Sequence, residues 1–272
     1  MKRPLAQPGL RAAMLPWAFA LAAALAGCAA TAPDADLARE RALEAEETDA
    51  RKRARARLEL AVGYFEQGQT GIALDELRQV VAADPSFPDA YNLRGLIYMR
   101  LNELRLAEEN FRRAVQLNPR DSHTLHNLGW LQCQQRRYDE SLKTFDQVLA
   151  NRAYTEPAKT LMAQGLCQAR AGKPADAERS LARAYEIDAG NPIIGYNLAT
   201  LLYQRGELQR AQFLIRRINN SQLANAETLW LGVKVERRLG DQVAASQLGD
   251  QLRRRFPQSR EVGAFDRGAF DE

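Results

Sequence analysis

Two histidines, His123 and His126, are the only ones in this chain of 272 residues, and they are spaced H-x-x-H. On a helix that spacing puts both imidazoles on one face. Cys133 follows seven residues after His126, about two turns further along, and the three side chains together are a candidate zinc donor set. The glutamate of H-E-x-x-H is missing, so nothing here signals a metalloprotease. Gly165 to Lys173 has the glycines and lysine of a phosphate loop, but the spacing is G-x6-G-K and Pro174 follows where a hydroxyl is needed. No G-x-S-x-G occurs, and two histidines on one short stretch leave a serine or cysteine nucleophile without a base. No constellation for making or breaking bonds stands out. The expectation is a protein that is not an enzyme, with no cofactor, no bound metal and no small-molecule substrate.

The three cysteines, Cys28, Cys133 and Cys167, carry more information. Lys2, Arg3 and Arg11 form a basic start, and an apolar run from Ala12 to Ala26 follows, interrupted only by Pro16. The run is too short for a membrane span, which needs roughly 20 apolar residues. It ends in Leu25-Ala26-Gly27-Cys28, which resembles the lipobox of bacterial lipoproteins. That resemblance implies a signal peptide over 1–27, cleavage before Cys28 and acylation of its thiol. Ala29, where aspartate would retain the protein at an inner membrane, implies an outer-membrane lipid anchor facing the periplasm. Three of the charges behind the formal net charge of +4 lie in this leader. The remainder is close to neutral, and no electrostatic case for nucleic acid exists. Export puts Cys133 and Cys167 in an oxidising compartment, which makes them a candidate disulfide.

Residues 28–53 form a charged leader, read either as a helix running into the folded body or as a disordered tether. Its basic run, Arg51-Lys52-Arg53, is balanced by Glu44, Glu46, Glu47 and Asp49 just before it. The elements that place the histidines and cysteines begin at Ala54. From there the chain repeats every 34 residues, in frames 54–87, 88–121, 122–155, 158–191, 192–225 and 226–259, with one two-residue insertion at Glu156-Pro157. Position 8 of the frame is small (Ala61, Gly95, Gly129, Gly165, Ala199), and so is position 20 (Ala73, Ala107, Ser141, Ala177, Ala211, Ala245). Position 24 is large and apolar (Leu77, Phe111, Phe145, Leu181, Ile215). Small residues let two helices approach, and the large one fills the space beside them. Gly68, Gly172, Gly206 and Gly240 share position 15, where a helix ends in a turn. Pro85, Pro119 and Pro257 share position 32, where the second helix stops. Val233 and Gly249 break the pattern in the sixth frame, which reads as a loosely packed terminal repeat. The tail 260–272, with Gly263-Ala264-Phe265-Asp266 and Gly268-Ala269-Phe270-Asp271, reads as a partly ordered cap.

The pattern resembles the tetratricopeptide repeat. The fold it implies is all-α, a right-handed superhelical solenoid of six repeats. First helices would line the concave face through positions 2, 5, 9, 12 and 13. Those positions hold Leu58, Val62, Phe65, Leu96, Met99, Trp130, Ile193, Tyr196 and Trp230, an apolar and aromatic groove without an obvious carboxylate clamp. His123 and His126 fall at positions 2 and 5 of the third frame and read as groove residues. Leu58, Val62 and Phe65, in a first repeat with no preceding neighbour, are the favoured docking patch, with Leu96, Met99, Trp130 and Tyr196 as further partner contacts.

Lipobox, charged leader and six repeats together resemble the type IV pilus biogenesis and stability lipoproteins, the pilotins of the pilus secretin. The stretches Leu60-Ala61-Val62-Gly63-Tyr64-Phe65-Glu66-Gln67-Gly68, Tyr91 to Leu96 and Asn127-Leu128-Gly129-Trp130 carry that likeness. It implies binding of the secretin subunit and help with its outer-membrane localisation and multimerisation. The competing reading is a repeat-containing lipoprotein adaptor for peptidoglycan hydrolases or periplasmic proteases.

Overall fold

The computed structural model describes residues 49–270. Within them lie thirteen α-helices and no strand. They run α1 (Asp49–Glu66), α2 (Thr70–Ala83), α3 (Pro88–Arg100), α4 (Leu104–Leu117), α5 (Ser122–Gln134), α6 (Tyr138–Ala150), α7 (Pro157–Arg170), α8 (Pro174–Ile187), α9 (Pro192–Gln204), α10 (Leu208–Asn219), α11 (Ala226–Leu239), α12 (Gln242–Arg255) and α13 (Arg260–Arg267). Each 34-residue frame holds one helix pair. The first described helix already includes Asp49, ahead of the frame start at Ala54, and the Ala- and Arg-rich stretch there contains no helix breaker. The expected signal peptide over 1–27 and the leader as far as residue 48 lie outside the described residues. Residues 54–272 make one compact unit, and residues 1–53 are assigned to another.

Local chemistry sets the helix starts. Pro88, Pro157, Pro174 and Pro192 occupy first turns, where a missing N–H costs nothing. Asp121 caps α5 by accepting from the N–H groups of His123 and Thr124. Asn225 and Thr228 form a reciprocal capping box on α11. At the other end of each first helix, position 15 is left-handed in all six repeats. Four are glycines, Gly68, Gly172, Gly206 and Gly240, and the other two are Asn102 (φ 60°) and Arg136 (φ 62°).

The core is a row of small–large interlocks between the paired helices. A Cβ built on Gly95 would lie 2.5 Å from the Phe111 ring, one on Gly129 2.9 Å from Phe145, and one on Gly165 2.8 Å from Leu181. Phe111, Phe145 and Leu181 are buried by these contacts, and Ile215 is buried at the equivalent position of the fifth repeat. Sixteen residues separate the partners of each glycine interlock. The same interval links Gly249 to Phe265 of α13, with a built Cβ 2.0 Å from that ring. The sixth repeat is therefore not loose. Gly249 leaves the space that Phe265 fills, and the tail folds as a helix over it. Phe270 then turns back, through a left-handed Gly268, onto Trp230 at 5.5 Å.

Successive first helices touch one another along the array, α3 with α5, α5 with α7, α7 with α9 and α9 with α11, whereas no two second helices do. The first helices are thus the inner layer of a curved stack, and the second helices splay outward.

Candidate partner-binding groove

The groove residues named from the sequence lie on this inner layer, but few are open. Val62 is exposed at 38% and Ile193 at 59%. Leu58 and Phe65 are half-buried against the first core cluster, and Leu96 bridges that cluster and the next. Met99 packs beside Leu128 and Leu131. Trp130 sits against the cluster of Phe145 and the two cysteines, with the Arg170 guanidinium 5.0 Å over its ring. Tyr196 is half-buried, and burial pushes its hydroxyl pKa up. Trp230 is buried beneath Phe265 and Phe270. Of the favoured triad, Val62 is the member that faces water.

His126 is not a groove residue. It is buried, its Nδ1 lies 2.8 Å from Thr160 Oγ1, and that hydroxyl donates to Tyr154 at 3.2 Å. Tyr154 belongs to the lengthened connection after α6 and is tucked in over the ring of His123 at 5.4 Å. Burial, helped by the nearby Lys159, lowers the His126 pKa to about 4, so the ring is neutral at pH 7. His123 is exposed and lies 3.6 Å from Glu156. Cys133 is bonded to Cys167 across α5 and α7, with Cα atoms 5.8 Å apart. The candidate zinc donors therefore do not converge, and among the described residues no three His, Cys, Asp or Glu side chains gather at a common point.

Ion pairs stitch neighbouring repeats outside the groove. Glu108 on α4 accepts from Arg137 at 2.7 Å, Arg112 at 2.9 Å and Gln135 at 3.1 Å. Burial would raise its pKa, but those donors outweigh it and hold the carboxyl at about 2. Glu236, buried on α11, is gripped by Arg216 at 2.6 and 3.0 Å and by Gln212 at 2.7 Å.

At the far end of the groove a cavity of about 460 Å³ opens between α9, α11 and α13. Tyr196, Glu227, Trp230, Lys234, Arg260, Glu261 and Arg267 supply its polar and aromatic wall. Of these, Lys234 stands at position 9 of its frame and was reachable from the groove register. Arg260 and Arg267 lie beyond the last frame, where no register pointed.

Two models of the tetratricopeptide repeat match the chain, one over residues 58–122 and again over 126–192, the other over 168–229. The chain is a tetratricopeptide-repeat protein. Tetratricopeptide-repeat scaffolds typically hold other proteins rather than catalyse reactions. This one is similar to the type IV pilus assembly protein PilF of Pseudomonas aeruginosa, with 28% identity over 256 residues, 94% of this chain and 98% of that one. The solved structure of P. aeruginosa PilF superposes with a TM-score of 0.71 at 26% identity, covering 81% of this chain and 100% of the other. The crystal structure of PilW, a widely conserved type IV pilus biogenesis factor, does so with 0.73 at 28% identity, over 78% and 97%. The similarity supports a role in type IV pilus biogenesis.

Proposed function

We propose that this tetratricopeptide-repeat protein is a lipid-anchored scaffold of the outer membrane, facing the periplasm, that binds the pilus secretin subunit and promotes its multimerisation. The reading rests above all on the near end-to-end similarity to a type IV pilus assembly protein. The anchor rests on Leu25-Ala26-Gly27-Cys28, which lies outside the described residues. Among the described residues no helix is long and apolar enough to cross a membrane. The inner face of α1 and α3 is the proposed contact, with exposed Val62 at its centre and Leu58, Phe65, Leu96 and Met99 around it. An apolar partner segment laid there would bury Val62, a gain of roughly 1.5–3 kcal/mol per fully buried side chain.

The test replaces the chromosomal copy with Val62→Glu. Because Val62 faces water, folding and melting stay near normal, while secretin multimers and pilus-dependent motility are lost. Unchanged multimers would remove this surface from consideration. Phe65 is a poorer probe, since its ring also carries a repeat-to-repeat contact. For the anchor, Cys28→Ser releases the protein from washed outer membranes; continued attachment would rule out the thiol as the anchor.

A further inference from the structure

The two edges of the repeat array differ. At the carboxy-terminal edge, α13 sets Phe265 into the gap over Gly249 and closes the last helix pair. At the amino-terminal edge α1 presents a stacking face. The fourth repeat shows what positions 3, 7 and 10 of a first helix meet. Thr160 touches His126 of the preceding first helix, Gln164 donates to Asp146 of the preceding second helix, and Cys167 is bonded to Cys133. Position 3 is buried in frames two to six, from Ala90 to Thr228, and so is position 10, from Ile97 to Val235. In the first frame these positions are Ala56, Leu60 and Gly63. Among the described residues no repeat precedes them. Ala56 is exposed, Leu60 is 53% exposed, and a Cβ built on Gly63 would meet no atom within 4 Å. Ile72 on α2 is exposed as well. It stands at position 19, where Arg210 of the fifth repeat reaches back to Glu178 of the preceding second helix. Solenoids ordinarily end in a polar cap, and a glycine in mid-helix weakens the helix without return unless something packs closely upon it.

The geometry points to self-association: we propose that a second copy of this chain docks on the open edge, α1 against α1, antiparallel about a two-fold axis. Leu60 of each copy enters the gap over Gly63 of the other, and Ala56 and Ile72 close round it. The face continues the repeat-to-repeat stacking surface, so it is shaped to receive a helix. One bulky side chain beside a glycine is complementary to itself under a two-fold, and the contact is closed after two copies. A head-to-tail contact, which would build an open filament, is blocked because α13 covers the other edge. Val62 stands about 200° round α1 from Leu60, at 3.6 residues per turn, so the groove stays open. The dimer is independent of the secretin reading, and each can fail alone.

The experiment is sedimentation velocity on the full chain in density-matched detergent over a range of protein concentrations. The parent sediments as monomer and dimer, with the dimer fraction rising with concentration. Leu60→Glu weakens association by roughly tenfold or more, since it puts a charge into an apolar contact, and melting stays near the parent's because Leu60 faces water. Gly63→Arg, whose side chain enters open space in the single copy, gives the same loss and decides the matter should Leu60→Glu melt early. Val62→Glu leaves association unchanged. A parent that is monomeric throughout overturns the proposal. An undiminished dimer in a well-folded Leu60→Glu or Gly63→Arg protein does so too, since a shared micelle or another face then holds the copies together. Loss of the dimer in Val62→Glu moves the contact into the groove and overturns the assignment to this edge.

Discussion

Arg100 lays its guanidinium 4.0 Å over the Phe65 ring and donates from Nη1 to the Phe65 carbonyl at 2.9 Å. Arg238 does the same to Tyr203, 4.8 Å above the ring and 3.2 Å from the carbonyl. In both cases 35 residues separate the partners, and the carbonyl already accepts from the N–H of the turn glycine, Gly68 or Gly206. The arginine takes the second lone pair. It shields an aromatic side chain of one first helix and ties that helix to the next.

Removing that tie has a measurable cost. Arg100→Lys keeps the charge but loses the planar fork that stacks and donates together. It destabilises by about 1 kcal/mol, the usual size of a partly exposed cation–π contact with its hydrogen bond. Urea titration of the two proteins reads the difference. A lysine variant as stable as the parent would mean that the stacked geometry contributes nothing.

Reduction of Cys133–Cys167 lowers stability by about 3–4 kcal/mol, the loop-closure value for a sequence separation of 34. Both sulfurs are buried, and Ser141 Oγ lies 3.3 Å from that of Cys167. The bond should therefore resist reduction until the chain unfolds. Thiol counts on unfolded, unreduced protein, beyond any at Cys28, give zero; two would refute the bridge.

Acid acts most strongly through two groups, His126 and Glu108, whose pKa values are lowered furthest. His126 has a folded pKa of about 4 against an ordinary 6.5. The unfolded chain binds its proton first, so the stability due to the neutral ring is complete above pH 6.5 and declines as pH falls towards 4. Glu108, held at about 2 against 4.5, does the same between pH 4.5 and 2. Its partly shielded network contributes on the order of 1–2 kcal/mol. Melting temperatures at pH 7, 5 and 3 separate them. His126→Gln flattens the upper window, and Glu108→Gln flattens the lower.

Arg136 holds a left-handed conformation that costs a side-chain-bearing residue roughly 1–2 kcal/mol. Arg136→Gly relieves this at some cost in chain entropy, so the net gain is up to about 1 kcal/mol. Gly172→Arg, at the equivalent turn, loses about as much as the strain. A stabilised Gly172→Arg protein would show that these turns are not strained.

The repeat frame was legible because close helix approach restricts residue type. Gly95 cannot be larger while Phe111 occupies its face, and that restriction recurs every 34 residues. The left-handed turn at Arg136 was not legible, since arginine does not announce a positive φ and only the alignment with Gly68 places it; Asn102, of a type that tolerates that region, was the readable one. His126 was misread as a groove residue because the frame describes an average repeat. The inserted residues at Glu156-Pro157 lengthen the connection that carries Tyr154, and Tyr154 and Thr160 close over the imidazole. Gly249 read as a defect, because its partner Phe265 lies beyond the last frame. The apolar character of the groove was visible, but its coverage by Arg100 and Arg170 was not, since those arginines sit a repeat away.

The cystine joins the third and fourth of six repeats, at the midpoint of the array. Each repeat touches only its neighbours, so the array deforms as springs in series. A covalent tie between α5 and α7 stiffens the central spring on its inner side and leaves the others as they were. A given bending load then deforms the central junction least, and the deformation concentrates in the junctions on either side of it.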